Sequence, residues 1–234
     1  MDRLDQKTAV AAGASAPGAM PPTLWTMVLA AGAGSDAALE QLCRLYWRPL
    51  HAYLRRWGFN DHDAEDFTQM FLAHLLRKDR LAGVRREKGR FRSYLLAALK
   101  NFVADRSSGP RRPKPVPLPG ALPDPGASPE EEFERSFTMT LIQRALDRLG
   151  EDYARRGMAE RFAVLRQFLP GEEPASTQAE VGLRLGLSEG AVGKAVYDLR
   201  RRFAKGFREV VAQTVSAFEE VEDEVKHHLA VMSR

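Results

Sequence analysis

The chain has 234 residues, 44% of them hydrophobic and 28% charged, which is enough apolar material to pack one large or two small domains. Its single cysteine, Cys43, excludes an intrachain disulfide scaffold and fits a buried thiol in a reducing compartment, so the cytoplasm is the expected location. The formal net charge is only +4 and the pI about 9.3, but the charge is segregated: the charged residues of 85–112 and 194–208 are mostly basic, while those of 61–66, 130–134 and 219–224 are mostly acidic.

Residues 1–22, rich in Ala, Gly and Pro, read as a disordered leader. The apolar run 23–33 is too short to span a bilayer and follows no compact basic region, so neither membrane insertion nor a signal peptide is expected. Apolar periodicity then predicts four helices. A short one covers 24–33, and a long one covers 36–57 with Leu39, Leu42, Cys43, Tyr46, Leu50, Tyr53 and Leu54 at helical spacing. A third runs over 61–77 beyond a stop at Gly58, and a fourth over 90–106 with Phe91, Tyr94, Leu95, Ala98, Phe102 and Val103 in period. Between 107 and 129 proline recurs too often for a helix or a central strand, and the segment reads as a semi-extended linker that holds two domains well apart. Helical pattern resumes at 130, continues to 149 and returns over 153–169; nothing reads as strand.

Residues 177–207, TQAEVGLRLGLSEGAVGKAVYDLRRRFAKGF, carry the pattern of a helix-turn-helix. Val181, Leu185 and Leu187 form an apolar seam, Gly186 sits at the sharp turn, and Ser188 offers an oxygen to cap the next helix, whose inner face is Ala191, Val192, Ala195 and Val196. Glu189, Lys194, Tyr197, Asp198 and Arg201 then point outward, and Arg200, Arg201, Arg202, Lys205 and Arg208 follow. Polar tips first and arginines afterwards suit base edges and then phosphates. A helical hairpin with a solvated basic face has the same spacing without any DNA.

The segments DHDAEDFTQMFLAHLL (61–76) and KGRFRSYLLAALKNFVADR (88–106) resemble the second region of bacterial RNA polymerase sigma factors of the sigma-70 family, in their short extracytoplasmic-function group. Residues 139–215 are similar to the fourth region of that group, so the resemblance leaves out only leader, linker and tail. It implies an all-α chain of two small helical domains: a region-2-like bundle over 23–106 and a region-4-like helix-turn-helix domain over 130–216. The Pro-rich linker 107–129 would join them, and 217–234 would form an acidic amphipathic tail. The implied function is a promoter-specificity subunit. Its partners would be the clamp of the largest subunit and the beta flap of core RNA polymerase, promoter DNA, and an anti-sigma factor or other regulator.

By that resemblance Asp63, Glu65, Asp66 and Gln69 face the polymerase, although acids in a first helical turn also complement the helix dipole by roughly 0.3–1 kcal/mol. Arg85, Arg86, Lys88, Arg90 and Arg92 supply charge at the minus-ten element, with Tyr94, Lys100 and Asn101 beside them. Unpaired bases stack on aromatic rings for about 1–3 kcal/mol each. Phe91 fits core packing better than stacking, and Tyr94 fits either. At the minus-thirty-five element Glu189, Lys194, Tyr197 and Arg201 meet bases while Ser188, Arg200 and Arg202 hold phosphates. Gly193 and Gly182 depart from the residues usual in the family, and Gly193 costs the helix roughly 1 kcal/mol relative to Ala.

In the tail, Phe218, Val221, Val225, Leu229 and Met232 trace an amphipathic stripe. Folding back would bring its carboxylates to residues 200–208 and mask them from DNA; a solvated terminal cap is the simpler alternative. His227 and His228 are adjacent and make a poor metal pair. No metal-ligand spacing, nucleophile arrangement or phosphate-cradling glycine loop appears, so no catalytic residue, metal or cofactor is expected. The competing reading is a stand-alone helix-turn-helix regulator with an N-terminal sensor or partner-binding half.

Overall fold

The computed structural model describes residues 24–75, 81, 90–107, 127–170, 174–215 and 217–233, and among them every regular element is helical. Helix α1 spans Leu24–Gly32, and α2 spans Asp36–Trp57. Ser35 caps α2 by accepting the Ala38 N–H, and Gly58 ends it at φ 111°, a conformation that costs glycine little. Helix α3 (Asp61–Leu75) opens on Asn60, whose amide exchanges hydrogen bonds with Asp63 at 2.7 and 2.8 Å. Helix α4 covers Phe91–Ser107.

Helix α5 (Pro129–Arg155) begins in a capping box between Ser128 and Glu131. It runs through Gly150, where the sequence pattern predicted an interruption. The chain turns instead at Gly157, φ 70°, while a side chain at Gly150 would press on the Phe162 ring at 3.0 Å. The glycine is therefore a contact point for α6 (Ala159–Leu165) rather than a break. After a 3-10 turn at Arg166–Phe168 come α7 (Gln178–Leu185), α8 (Glu189–Ala212), a second 3-10 turn at Phe218–Glu220, and α9 (Val221–Met232).

Two apolar cores result, and their division is not at the proline-rich segment. The first joins α1–α4 to Phe133, Phe137, Leu141 and Ala145 of α5, to Phe207, Val210 and Val211 of α8, and to Val221 and Val225 of α9. The second gathers Leu149 and Tyr153 of α5 with Leu165, Val181, Val192, Val196 and Leu199. Phe203 touches both, so α5 and α8 are shared beams. Among the described elements the α2–α5 packing is the most extensive, with Tyr46 stacked on Phe137 at 5.4 Å, and just before α5 the Ala127 carbonyl accepts from Arg56 Nε at 2.6 Å. The described helices on either side of 107–129 are thus packed together rather than held apart, because each brings aromatic surface that the other helps to cover. The expected linker conformation itself lies mostly outside the described residues, as do Arg85, Arg86, Lys88 and the leader.

Candidate nucleic-acid interface

The helix-turn-helix is built from local signals. Thr177 and Glu180 form a capping box at the start of α7, Gly186 ends it at φ 64°, and Ser188 caps α8 through the Ala191 N–H. Between the helices the backbone comes so close that a Cβ on Gly182 would lie 2.7 Å from the Leu187 carbonyl oxygen, which explains this glycine. Val192, Val196 and Leu199 of α8 turn into the second core, so Lys194, Tyr197 and Arg201 emerge together on the outer face. Tyr197 is 66% exposed, and none of the three, nor Glu189, has a side-chain partner among the described residues.

The expected phosphate holders are different. Ser188 spends its hydroxyl on the cap. Arg200 donates its Nε to the Phe168 carbonyl at 2.9 Å, and Arg202 stands 3.6 Å from Asp152 with its guanidinium 5.9 Å from the Tyr153 ring. Arg200 and Arg202 are exposed but brace α8 against neighbouring elements, so any phosphate must share them. Beside them lies a groove of about 710 Å³ between α5 and α8, where Arg148, Arg155, Arg156 and Lys205 join Arg201 and Arg202 around Asp152. Arg155 and Arg156 belong to this basic surface, and the sequence reading missed them because it did not carry α5 that far toward α8.

On α4 the expected DNA contacts separate. Tyr94 is 37% exposed at a tilted 5.9 Å from Phe91, which is itself buried against the edge of Tyr46. Asn101 is exposed. Lys100 binds Glu130 at 2.6 Å; that hydrogen bond raises the lysine's pKa and lowers the carboxyl's. Arg92 corrects the expectation most clearly. It is only 5% exposed, donates to Glu134 at 2.8 Å and to Glu224, and so is closed to DNA in this conformation.

The Glu224 carboxylate that meets Arg92 also lies 2.9 Å from Arg90 and 3.4 Å from His228, which is fully buried with its Nδ1 2.8 Å from the Thr138 hydroxyl. Burial alone would push the Glu224 carboxyl up; the contact with His228 and the charges of Arg92 and Arg90 prevail and hold it at about 2. His227 stands 3.2 Å from Glu134. The tail's link to the basic segment of α8 is Arg208 with Glu222 at 2.9 Å, so its main electrostatic engagement is with α4 rather than with residues 200–208.

The acidic start of α3 divides as well. Asp63 is committed to Asn60. Glu65, Asp66 and Gln69 are exposed, with Met70 on the same side of the helix and His62 3.6 Å from Asp66. No three His, Cys, Asp or Glu side chains are grouped to hold a metal ion among the described residues, and no described helix is long and apolar enough to cross a membrane. No protein-family model matches the chain, and neither a curated protein nor a solved structure is significantly similar to it.

Proposed function

We propose that the chain is a transcription initiation factor of the extracytoplasmic-function sigma type, which acts in the cytoplasm and directs core RNA polymerase to promoters. The observation that carries this reading is the outer face of α8, where Lys194, Tyr197 and Arg201 stand exposed along an arginine-rich helix, with no side-chain partner among the described residues. Such a face suits base edges in a major groove, and the basic groove beside it suits the backbone. A helix-turn-helix alone serves any regulator. The second support is therefore α3, whose Glu65, Asp66, Gln69 and Met70 offer a mixed acidic and apolar face with no use in DNA binding, and which fits a basic protein partner such as the polymerase clamp. Tyr94, Asn101 and Lys100, the last paired with Glu130 at the surface, remain as the exposed minus-ten candidates on α4.

A pull-down with purified core enzyme tests the reading. Asp66→Arg and Gln69→Arg should weaken retention while leaving the circular dichroism spectrum intact, since an outward helical position tolerates charge and a complementary interface does not. Equal retention of both variants removes α3 from the interface and leaves the stand-alone regulator as the better reading.

A further inference from the structure

The tail was expected to bury an apolar stripe, but the face that goes inward is Val221, Glu224, Val225 and His228, while Phe218 and Leu229 stay 77% and 61% exposed. Its hold on the body is therefore polar as much as apolar: Val221 and Val225 enter the first core, and Glu224 and His228 stand beside them. Glu224 reaches Arg90 and Arg92, His228 meets Thr138, His227 approaches Glu134, and Arg208 meets Glu222. Its first turn has no side-chain cap. A buried ion pair gains little over apolar side chains of the same volume, because desolvation offsets its attraction even though breaking it is costly, so the choice of charges here needs another explanation. A carboxylate set between two guanidiniums supplies one, because that is also the arrangement in which arginines grip a phosphate.

We propose that α9 is an intramolecular clasp whose Glu224 carboxylate occupies, in place of a nucleic-acid phosphate, an anion site formed by Arg90 and Arg92. The site is shut in this conformation and opens when α9 lifts. This inference rests on the reading of α4 as a nucleic-acid surface and adds its regulation. The occupant is tethered and so competes at high effective concentration, whereas a single strand brings a row of phosphates and gains as the chain opens. Salt weakens the exposed pair of Glu222 with Arg208 first, then the pair of half-exposed Arg90 with buried Glu224, and the buried Arg92 contact last.

The experiment uses the full chain in four forms: unaltered, Glu224→Gln, Thr138→Val, and Glu224→Gln combined with Arg90→Ala. Thermal melting establishes that each folds. Amide hydrogen exchange over α9 reads opening, and fluorescence anisotropy of a short labelled single-stranded DNA at low salt reads binding. Thr138→Val weakens the seat of His228 without touching the charged site, so it keeps the test alive if Glu224→Gln fails to fold. Expected are faster exchange in α9 for both single variants and a rise in affinity that follows it, about tenfold if roughly one unaltered chain in ten is open. Arg90→Ala should cancel the gain. Faster exchange without tighter binding overturns the proposal, as do unchanged exchange in a folded variant and a complete lack of DNA binding in every form. If the affinity gain appears but core polymerase ignores the chain, the clasp stands and the initiation-factor reading falls.

Discussion

Burying an arginine is costly, and Arg92 is tolerated because Glu134 and Glu224 converge on it from two other helices. Glu224 in turn has a folded pKa of about 2 against an ordinary value of 4.5. A depressed carboxyl stabilises the fold above its ordinary pKa and loses that contribution as pH falls through the folded one, so the loss should lie between about pH 4.5 and 2. Thermal melts across that range should show the unaltered protein losing on the order of 2 kcal/mol from this group, with a flatter profile for Glu224→Gln. Parallel profiles would mean that the pair with Arg92 is not formed in solution. None of this was legible in the sequence. Arg92 sits in a basic run beside Arg90, and its partner lies 132 residues away, beyond the reach of any local pattern. Lys194, Tyr197 and Arg201 were legible, because the helical period that buries Val192, Val196 and Leu199 leaves them outside.

At the scale of the element, the two glycines of the helix-turn-helix make a controlled pair. Both sit in helices where alanine is intrinsically better by roughly 1 kcal/mol. At Gly193 the new Cβ meets only the mobile end of Gln178, at 3.3 Å, so Gly193→Ala should stabilise the protein by up to about 1 kcal/mol. At Gly182 it meets the Leu187 backbone at 2.7 Å, so Gly182→Ala should cost about 1–3 kcal/mol as the turn is forced apart. Chemical denaturation compares them, and a gain at both positions would show that α7 and α8 pack less closely than described. The motif itself could be read from sequence because its cap at Ser188 and its turn at Gly186 are local. The continuity of α5 could not, since Gly150 looks like a breaker until Phe162 is seen lying over it. The tail's apolar stripe is legible only in part: Val221 and Val225 are buried as the pattern predicts, but Glu224 and His228 turn inward in place of Phe218 and Leu229 because charged and hydroxyl partners await them there.

At the scale of the whole molecule, helical periodicity gave the all-α class, while the proximity of the two halves escaped it. Proline density describes the chain between 107 and 129, not the distance between the helices that it connects. The helices of the two halves share a core through Tyr46 of α2, Phe137 of α5 and Phe207 of α8, and α9 ties the basic end of α4 to α5 and α8. Such a closed body keeps part of its basic surface occupied, so the chain alone should bind duplex DNA weakly and engage it fully only together with a polymerase that adds its own contacts to the promoter. Transcription in vitro from a library of random upstream sequences, with core RNA polymerase and this chain, tests that most directly. The expected result is transcripts that depend on the chain and share one pair of upstream elements, with weak duplex binding by the chain on its own. Tight sequence-specific duplex binding by the isolated chain, with no chain-dependent transcript from any library member, would contradict it.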